Sequence, residues 1–319
     1  MNEGKNILAV RNDRFGEFLL NIPALRAIKE TFPESRLTLV VNSSVLELAR
    51  AVSQADDVIV WDNRKHSVRE IINFISHLKK KEIDICVILN PSREFNIISF
   101  FSGIRVRVGY GRKWGFLLTR RLKDTKYLAK KHEIDYNLDL VGLIGCSTKD
   151  RGLRLNIPAV ATATLEGFGI KEADRPVAIH PWTSDSIKQW PLDNFRNLSC
   201  RIVEELGQKV VIVGGKEEGD LGLEYFGNLG ESVINLTGKT TLLELGAVLA
   251  GCRLLISGDS GPVHLASCVG TPVIAIFRND IPGKSARRWG PAGNDNIVIE
   301  KGDLFDISVD EVFQKVKER

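Results

Sequence analysis

Leu254-Leu255-Ile256-Ser257-Gly258-Asp259-Ser260-Gly261-Pro262-Val263-His264-Leu265-Ala266 reads as a strand, a tight polar turn and a helix. The apolar run Leu254–Ile256 fits a strand covered on both faces. Asp259 and Ser260 are good N-cap residues. Pro262 suits the first helical position, where its missing N–H would have lacked a partner anyway. The amides of Gly261, Val263 and His264 are then expected to point into the space above the carboxyl end of the strand, with the positive end of a helix dipole behind them. Such a turn takes an anion, and a diphosphate is the working expectation. His264 reads either as a satisfied helix-terminus histidine or as a phosphate contact.

Working outward, the same strand–turn–helix alternation fills the chain. In the first half, apolar strands are predicted at 7–10, 37–41, 58–61, 85–89 and 106–110. Helices are predicted over 18–30, kinked at Pro23, and over 45–51, 68–80 and 96–101. A long loop is expected over 114–131, then a helix over 132–145, a short strand at 153–155 and a short helix over 162–168. The charged segment 171–175, ending before Pro176, places a domain boundary near residue 174. The alternation restarts with strands at 177–180, 209–213, 233–236, 254–256, 272–277 and 297–299. Helices are expected over 192–206, closed by Gly207, and over 217–229, 242–250 and 308–317. The fold class is therefore α/β, with two Rossmann-like, doubly wound parallel-sheet domains, 1–174 and 175–319. Ligands are expected in a cleft between them, at the carboxyl ends of the strands.

The 319 residues are 43% hydrophobic and 26% charged, as in a soluble globular protein. No apolar run approaches the ~20 residues that span a bilayer, and residues 1–6 contain no signal-peptide core. The five cysteines, Cys86, Cys146, Cys200, Cys252 and Cys268, have no metal spacing and read as reduced, mostly buried thiols of the cytosol. The net charge of +4 is unevenly spread: ten Lys/Arg but one acid, Asp124, lie between Arg105 and Lys131. The run is either a solvated surface or a patch facing an anionic partner. Trp114, Phe116, Leu117 and Leu118 within it favour a membrane surface or phosphorylated lipid over nucleic acid.

Three polar turns are candidates for chemistry. Asp13 and Glu17 lie in the first strand–helix turn, where either is a general base or a partner for Arg11 or Arg14. In the loop 182–191, Lys188 suits a phosphate oxygen and Thr183, Ser184 and Ser186 offer hydroxyl donors, unless the loop is merely exposed. After Gly214-Gly215, Glu217 or Glu218 either accepts from ribose hydroxyls or complements a helix dipole. There is no GxGxxG, no GxSxG and no metal-ligand cluster.

Three motifs together resemble the family-9 glycosyltransferases, the bacterial lipopolysaccharide heptosyltransferase family. They are Arg14-Phe15-Gly16-Glu17 through Ala27; His180-Pro181-Trp182 through Lys188-Gln189-Trp190-Pro191; and Gly258-Asp259-Ser260-Gly261 through Ala266, followed by Gly270-Thr271-Pro272-Val273. The resemblance implies a GT-B fold and an inverting, metal-independent transfer of heptose, without a cofactor, from an ADP-linked sugar to a lipopolysaccharide core or related glycan. It implies that Thr183, Lys188, Glu217, Asp259, Ser260, Gly261 and His264 bind the donor. Glu17, with Asp13 and Lys188, falls at the catalytic positions. Arg14, Arg112, Lys113, Arg120 and Arg121 are expected to hold an anionic, lipid-linked oligosaccharide acceptor at the cytoplasmic surface of the inner membrane. The protein is expected to be a cytoplasmic, peripheral monomer that binds no nucleic acid. One departure stands out. The family's first motif usually carries Gly-Asp, its Asp the base, whereas Gly16-Glu17 here adds a methylene and makes Asp13 the substitute to watch. A nucleotide-sugar epimerase or hydrolase, or a silent nucleotide-sugar-binding homologue, is the alternative.

Overall fold

The computed structural model describes residues 4–163 and 165–319, so expectations resting on residues 1–3 and on Thr164 lie outside the described residues. The chain forms two compact units. One holds the described residues up to Tyr127 together with Lys131–Gly152; the other holds Leu153–Arg319 together with Leu128–Lys130.

The first unit is built on a six-stranded sheet. Its strands are β1 (Asn6–Val10), β2 (Arg36–Val41), β3 (Asp57–Val60), β4 (Ile85–Ile88), β5 (Val106–Tyr110) and β6 (Arg120–Leu122), in the order β3-β2-β1-β4-β5-β6. Every pairing is parallel. Its core forms where Leu8, Val10, Val40, Cys86 and Ile88 meet Phe74 and Leu78 of the helix Val68–Lys80 and Phe95 and Ile98 of the helix Arg93–Phe101. The second unit repeats the plan with β7 (Val177–His180), β8 (Val210–Ile212), β9 (Val233–Asn235), β10 (Leu254–Gly258), β11 (Val273–Arg278) and β12 (Ile297–Lys301). The order β12-β11-β10-β7-β8-β9 is the same winding, again wholly parallel. In each unit the first and fourth strands are neighbours, and the connections leaving them run opposite ways. That reversal opens a crevice outside the carboxyl ends of the two strands.

Several sequence expectations shift. The domain boundary falls at Gly152/Leu153, not at 174. The Arg26 guanidinium holds the Asp150 and Gly152 carbonyls at 2.8 and 2.9 Å, which ends the first unit. Beyond that point the Leu155 amide donates to Cys268 and the Ile157 side chain abuts Gly246, so 153–174 packs with the second sheet. The charged 171–175 segment is a surface turn of that unit, with Asp174 on Lys209 at 2.9 Å. The predicted strand 153–155 is an extended connection, not a strand. The helix expected over 18–30 is two helices, Phe15–Leu19 and Ile22–Thr31. The Asn21 side chain donates to the Glu17 and Phe18 carbonyls between them, and Pro23 sits in the first turn of the second helix, not at a kink. The helix expected over 162–168 is resolved as Ala159–Ala163 and a 3-10 turn, Glu166–Phe168. The loop expected over 114–131 contains β6 and two 3-10 turns, Gly115–Leu117 and Lys126–Leu128. As an edge strand, β6 needs no apolar run, and its Arg-Arg-Leu sequence discourages further pairing.

Trp190 ties the Lys188 loop to the second core. It is fully buried, packs edge-to-face on Phe195 at 4.7 Å, and donates from Nε1 to the Ile307 carbonyl at 2.9 Å. Trp190→Ala is expected to cost about 3–5 kcal/mol, and Trp190→Phe clearly less, because a ring remains and mainly the hydrogen bond is lost. Urea unfolding of both variants checks this; equal midpoints would refute it.

Candidate active site

In the second unit, the loop after β7 and the turn after β10 flank the crevice. Two buried tryptophans pin the β7 loop. Trp182 Nε1 donates to the Val213 carbonyl at 3.1 Å, and Trp190 is held as described. Between them Gln189 Nε2 donates to the carbonyls of Pro181 and Trp190. The Arg278 guanidinium donates to the Ile187 carbonyl at 3.0 Å, and Lys284 Nζ meets Asp185 at 2.5 Å. Lys284 holds the Asp185 carboxyl below its ordinary range. So braced, the loop delivers Lys188 Nζ to Asp259 Oδ2 at 2.5 Å. The Asp259 side chain is only 9% exposed. Burial raises its pKa, while the charges of Lys188 and Arg288 work against that rise. Lys188 is thus a held ammonium at the carboxyl end of the sheet, and Thr183 is folded back onto Asp185 in the same loop.

Beneath the turn is a polar cluster that the motifs did not assign. His180 and Ser257 are register partners across β7 and β10. The imidazole Nδ1 lies 3.2 Å from both Ser257 Oγ and Ser260 Oγ, and the two hydroxyls are 2.8 Å apart. Ser257 commits its proton to the His180 carbonyl at 3.1 Å, so its oxygen accepts from Ser260 or from the ring. Burial pushes the His180 pKa down to about 4, so the ring is neutral. Ser260 is the N-cap of the helix Gly261–Val269, yet its hydroxyl turns to this cluster and makes no cap hydrogen bond. Of the amides expected to face the crevice, that of Val263 is used by the Ser260 carbonyl at 3.3 Å. Pro262 lies in the first turn, and His264 is buried there. After β8 the glycines divide. A Cβ on Gly214 would overlap the Trp182 indole, so this glycine serves packing rather than ligand approach. Gly215 is exposed, and a Cβ on it would come within 2.9 Å of the Glu218 carboxylate; Glu217 is exposed beside it.

In the first unit the turn after β1 reaches the corresponding crevice. Arg11 is buried; its Nε meets Asp13 at 2.7 Å and its Nη1 lies 3.6 Å from Glu133. Glu133, 1% exposed, takes Lys126 Nζ at 2.6 Å, so this member of the basic run is an interior ion pair rather than surface charge. Burial opposes the Arg11 charge, but Asp13, Glu133 and Glu17 more than restore it. Asp13 is therefore largely spent on Arg11. Glu17, in the first turn of the helix Phe15–Leu19, has its pKa raised, first by burial and then by the Asp13 charge. The other expected acceptor residues are partly engaged. Arg112 meets Asp124 at 2.8 Å, Arg120 donates to the Leu143 carbonyl at 2.6 Å, and Arg121 to that of Gly115 at 3.4 Å. A guanidinium has five N–H donors, so one such bond leaves capacity for an anion. Arg14 and Lys113 are exposed.

Two tandem Rossmann-like units, each with a crevice outside the carboxyl ends of its first and fourth strands, are the architecture of the GT-B fold. Residues 71–305 match the family described as glycosyltransferase family 9 (heptosyltransferase), and the chain belongs to that family. It is 23% identical over 303 residues to the lipopolysaccharide core heptosyltransferase OpsX of Haemophilus influenzae, covering 92% of this chain and 84% of that one. The family-9 glycosyltransferase of Veillonella parvula shares its fold at a TM-score of 0.86, with 21% identity over 98% of this chain and 96% of the other. The heptosyltransferase WaaC of E. coli, solved with ADP, superposes at 0.79, with 19% identity over 98% of this chain and 99% of the other. Among the described residues no helix is long and apolar enough to cross a membrane, and no group of three or more His, Cys, Asp or Glu could hold a metal ion.

The two shifted groups have opposite signatures. The raised pKa of Glu17 means that ionising it costs stability in the fold. Glu17→Gln is expected to unfold at a higher temperature than the parent at pH 7. That advantage should fade as the pH falls through the raised value and vanish below about 4.3, the ordinary value for glutamate. A variant less stable than the parent at pH 7 would refute it. For His180 the folded value lies below the ordinary 6.5, so its neutral ring contributes stability above that pH. That contribution, roughly 3 kcal/mol, is lost as the pH falls toward about 4. A His180 ring titrating near 6.5 by NMR would overturn this.

Proposed function

We propose that the protein transfers heptose, with inversion and without a metal, from an ADP-linked donor to an anionic, lipid-linked glycan of the lipopolysaccharide-core type. The reading places the work at the cytoplasmic face of the inner membrane, on a monomer. The observation that carries it is Lys188, held 2.5 Å from a buried carboxylate at the carboxyl end of the second sheet. A diphosphate entering there finds the ammonium already desolvated and oriented, and Asp259 keeps it from swinging into solvent. The amides opening the helix Gly261–Val269 add the positive end of its dipole. Ser260, His264 and Thr183 complete the diphosphate region, and Glu217 or its neighbour Glu218 takes the ribose hydroxyls. WaaC was solved with ADP, which supports adenosine diphosphate as the leaving group.

On the acceptor side Glu17 takes the proton from a sugar hydroxyl as that oxygen attacks the anomeric carbon. The bond from that carbon to the diphosphate breaks as the new one forms, and the released charge falls on Lys188. The raised pKa of Glu17 suits it to the base role, while Asp13 is held by its ion pair to Arg11. The Arg14, Arg112, Lys113, Arg120 and Arg121 side chains are the cations offered to the acceptor. A buried, basic carboxylate at the base position favours an active transferase over a silent homologue, and family membership favours transfer over epimerisation or hydrolysis.

A thermal-shift panel of ADP-, UDP- and GDP-sugars tests the donor. Only ADP-sugars should raise the unfolding temperature, and Lys188→Ala should abolish the shift. Glu17→Gln should keep that shift and lose at least about a hundredfold in transfer rate, with parental activity unaffected by chelator. A shift with UDP-sugars alone, full activity of Glu17→Gln, or an absolute metal requirement would each overturn the corresponding part.

A further inference from the structure

The first unit carries a surface that neither base nor donor chemistry uses. Between β5 and β6 the chain does not build a full helix. It lays the 3-10 turn Gly115–Leu117 along the helix Arg93–Phe101. Asn96 Nδ2 donates to the Lys113 carbonyl at 2.8 Å, and Arg107 Nε donates to the Leu117 carbonyl at 2.8 Å, so the turn is fastened to the helix at one end and to β5 at the other. Four rings face outward along this seam: Phe100, Phe101, Trp114 and Phe116, at 44, 59, 45 and 68% exposure. They pair at 5.3 Å (Phe100 with Phe101) and 5.9 Å (Trp114 with Phe116). Guanidinium groups stand over them, Arg93 over Trp114 at 4.1 Å and Arg107 over Phe100 at 5.4 Å. Lys113 and Trp114 are both held at positive φ, 51° and 68°, a backbone that non-glycine residues rarely adopt.

A cluster of four exposed aromatic rings marks an interaction surface. Its chemistry selects among occupants. Arg93, Arg107 and Lys113 are interleaved with the rings, and the one acid of the 105–131 run is taken by Arg112, so the surface presents cations around an apolar centre. Tryptophan and phenylalanine among Arg and Lys fit the boundary between lipid headgroups and acyl chains, where rings bury and cations meet phosphate. We propose that this surface docks the protein on an anionic bilayer, with the Phe101 and Phe116 rings inserted and the Arg93, Arg107 and Lys113 charges on lipid phosphates. It deepens the lipid-linked acceptor reading, and rests on it for its purpose.

Flotation of the full chain with phosphatidylcholine vesicles, with and without phosphatidylglycerol, tests the docking. The parent should float with the anionic vesicles only and be released by high salt. Phe101→Ser combined with Phe116→Ser should weaken partitioning by about tenfold or more, with unfolding temperature and donor-induced shift unchanged, since both rings are exposed. Lys113→Glu should weaken it also. A parent that does not float with anionic vesicles, or a double variant that floats equally well, overturns the proposal. So does self-association of the parent that the double variant abolishes without vesicle binding. A protein that floats but transfers no sugar removes the proposed reaction alone; one that transfers a soluble glycan but never floats removes the surface alone.

Discussion

Both units depend on one constraint of parallel sheets: a strand can be followed by its parallel neighbour only through a crossover, and crossovers cover one face at a time. Covering both faces requires the winding to reverse once, and here it reverses beside the first strand of each sheet. The two connections that part at that point cannot cover the strand ends they leave. The turn after β1 and the loops after β7 and β10 fall there for topological reasons before any side chain is considered. Three residues with shifted pKa values, Glu17, His180 and Asp259, are on those connections or one residue inside them.

What the two crevices do with the same geometry differs. The second offers an ammonium and a helix N-terminus to negative charge. The first gathers carboxylates around one buried guanidinium. Neither arrangement is cheap for folding. A carboxylate left partly desolvated, as Glu17 is, trades stability for basicity, and the second unit offsets the burial of Asp259 only by bringing a lysine to 2.5 Å. The bracing of the β7 loop by Trp182, Trp190, Arg278 and Lys284 is the structural counterpart of that exchange.

Legibility from sequence followed burial. Strands such as 177–180 and 254–258 are apolar runs because both faces are covered, and the helix Leu192–Leu206 shows its Gly207 end. β6 was opaque because an edge strand of Arg-Arg-Leu carries no period. Lys126 reads with the basic run as surface charge, since nothing in its spacing says that Glu133 neutralises it in the interior. The His180–Ser257–Ser260 cluster was out of reach for another reason: it joins residues 77 apart through strand register, which exists only once the sheet is assembled. The packing role of Gly214 was out of reach likewise, because the indole that fills its missing Cβ comes from Trp182, on another strand's loop.

The same logic bears on the Gly16-Glu17 departure. Two carboxylates near one guanidinium cannot hold their protons equally. One reaches the cation and is held there by the ion pair, and the other, feeling that charge and less water, has its pKa raised. Asp13, with a short side chain and a 2.7 Å bond to Arg11, takes the first part. Glu17, four residues on and in the first turn of a helix, takes the second. Arg11 is in turn balanced from behind by Glu133, which also pairs with Lys126, so the division does not rest on a lone buried charge. A glutamate in place of the usual aspartate then costs reach and gains rotamer freedom, but leaves unchanged the electrostatic division that makes one member of the pair a base. The acceptor geometry, rather than the acid–base chemistry, is where the extra methylene must be accommodated.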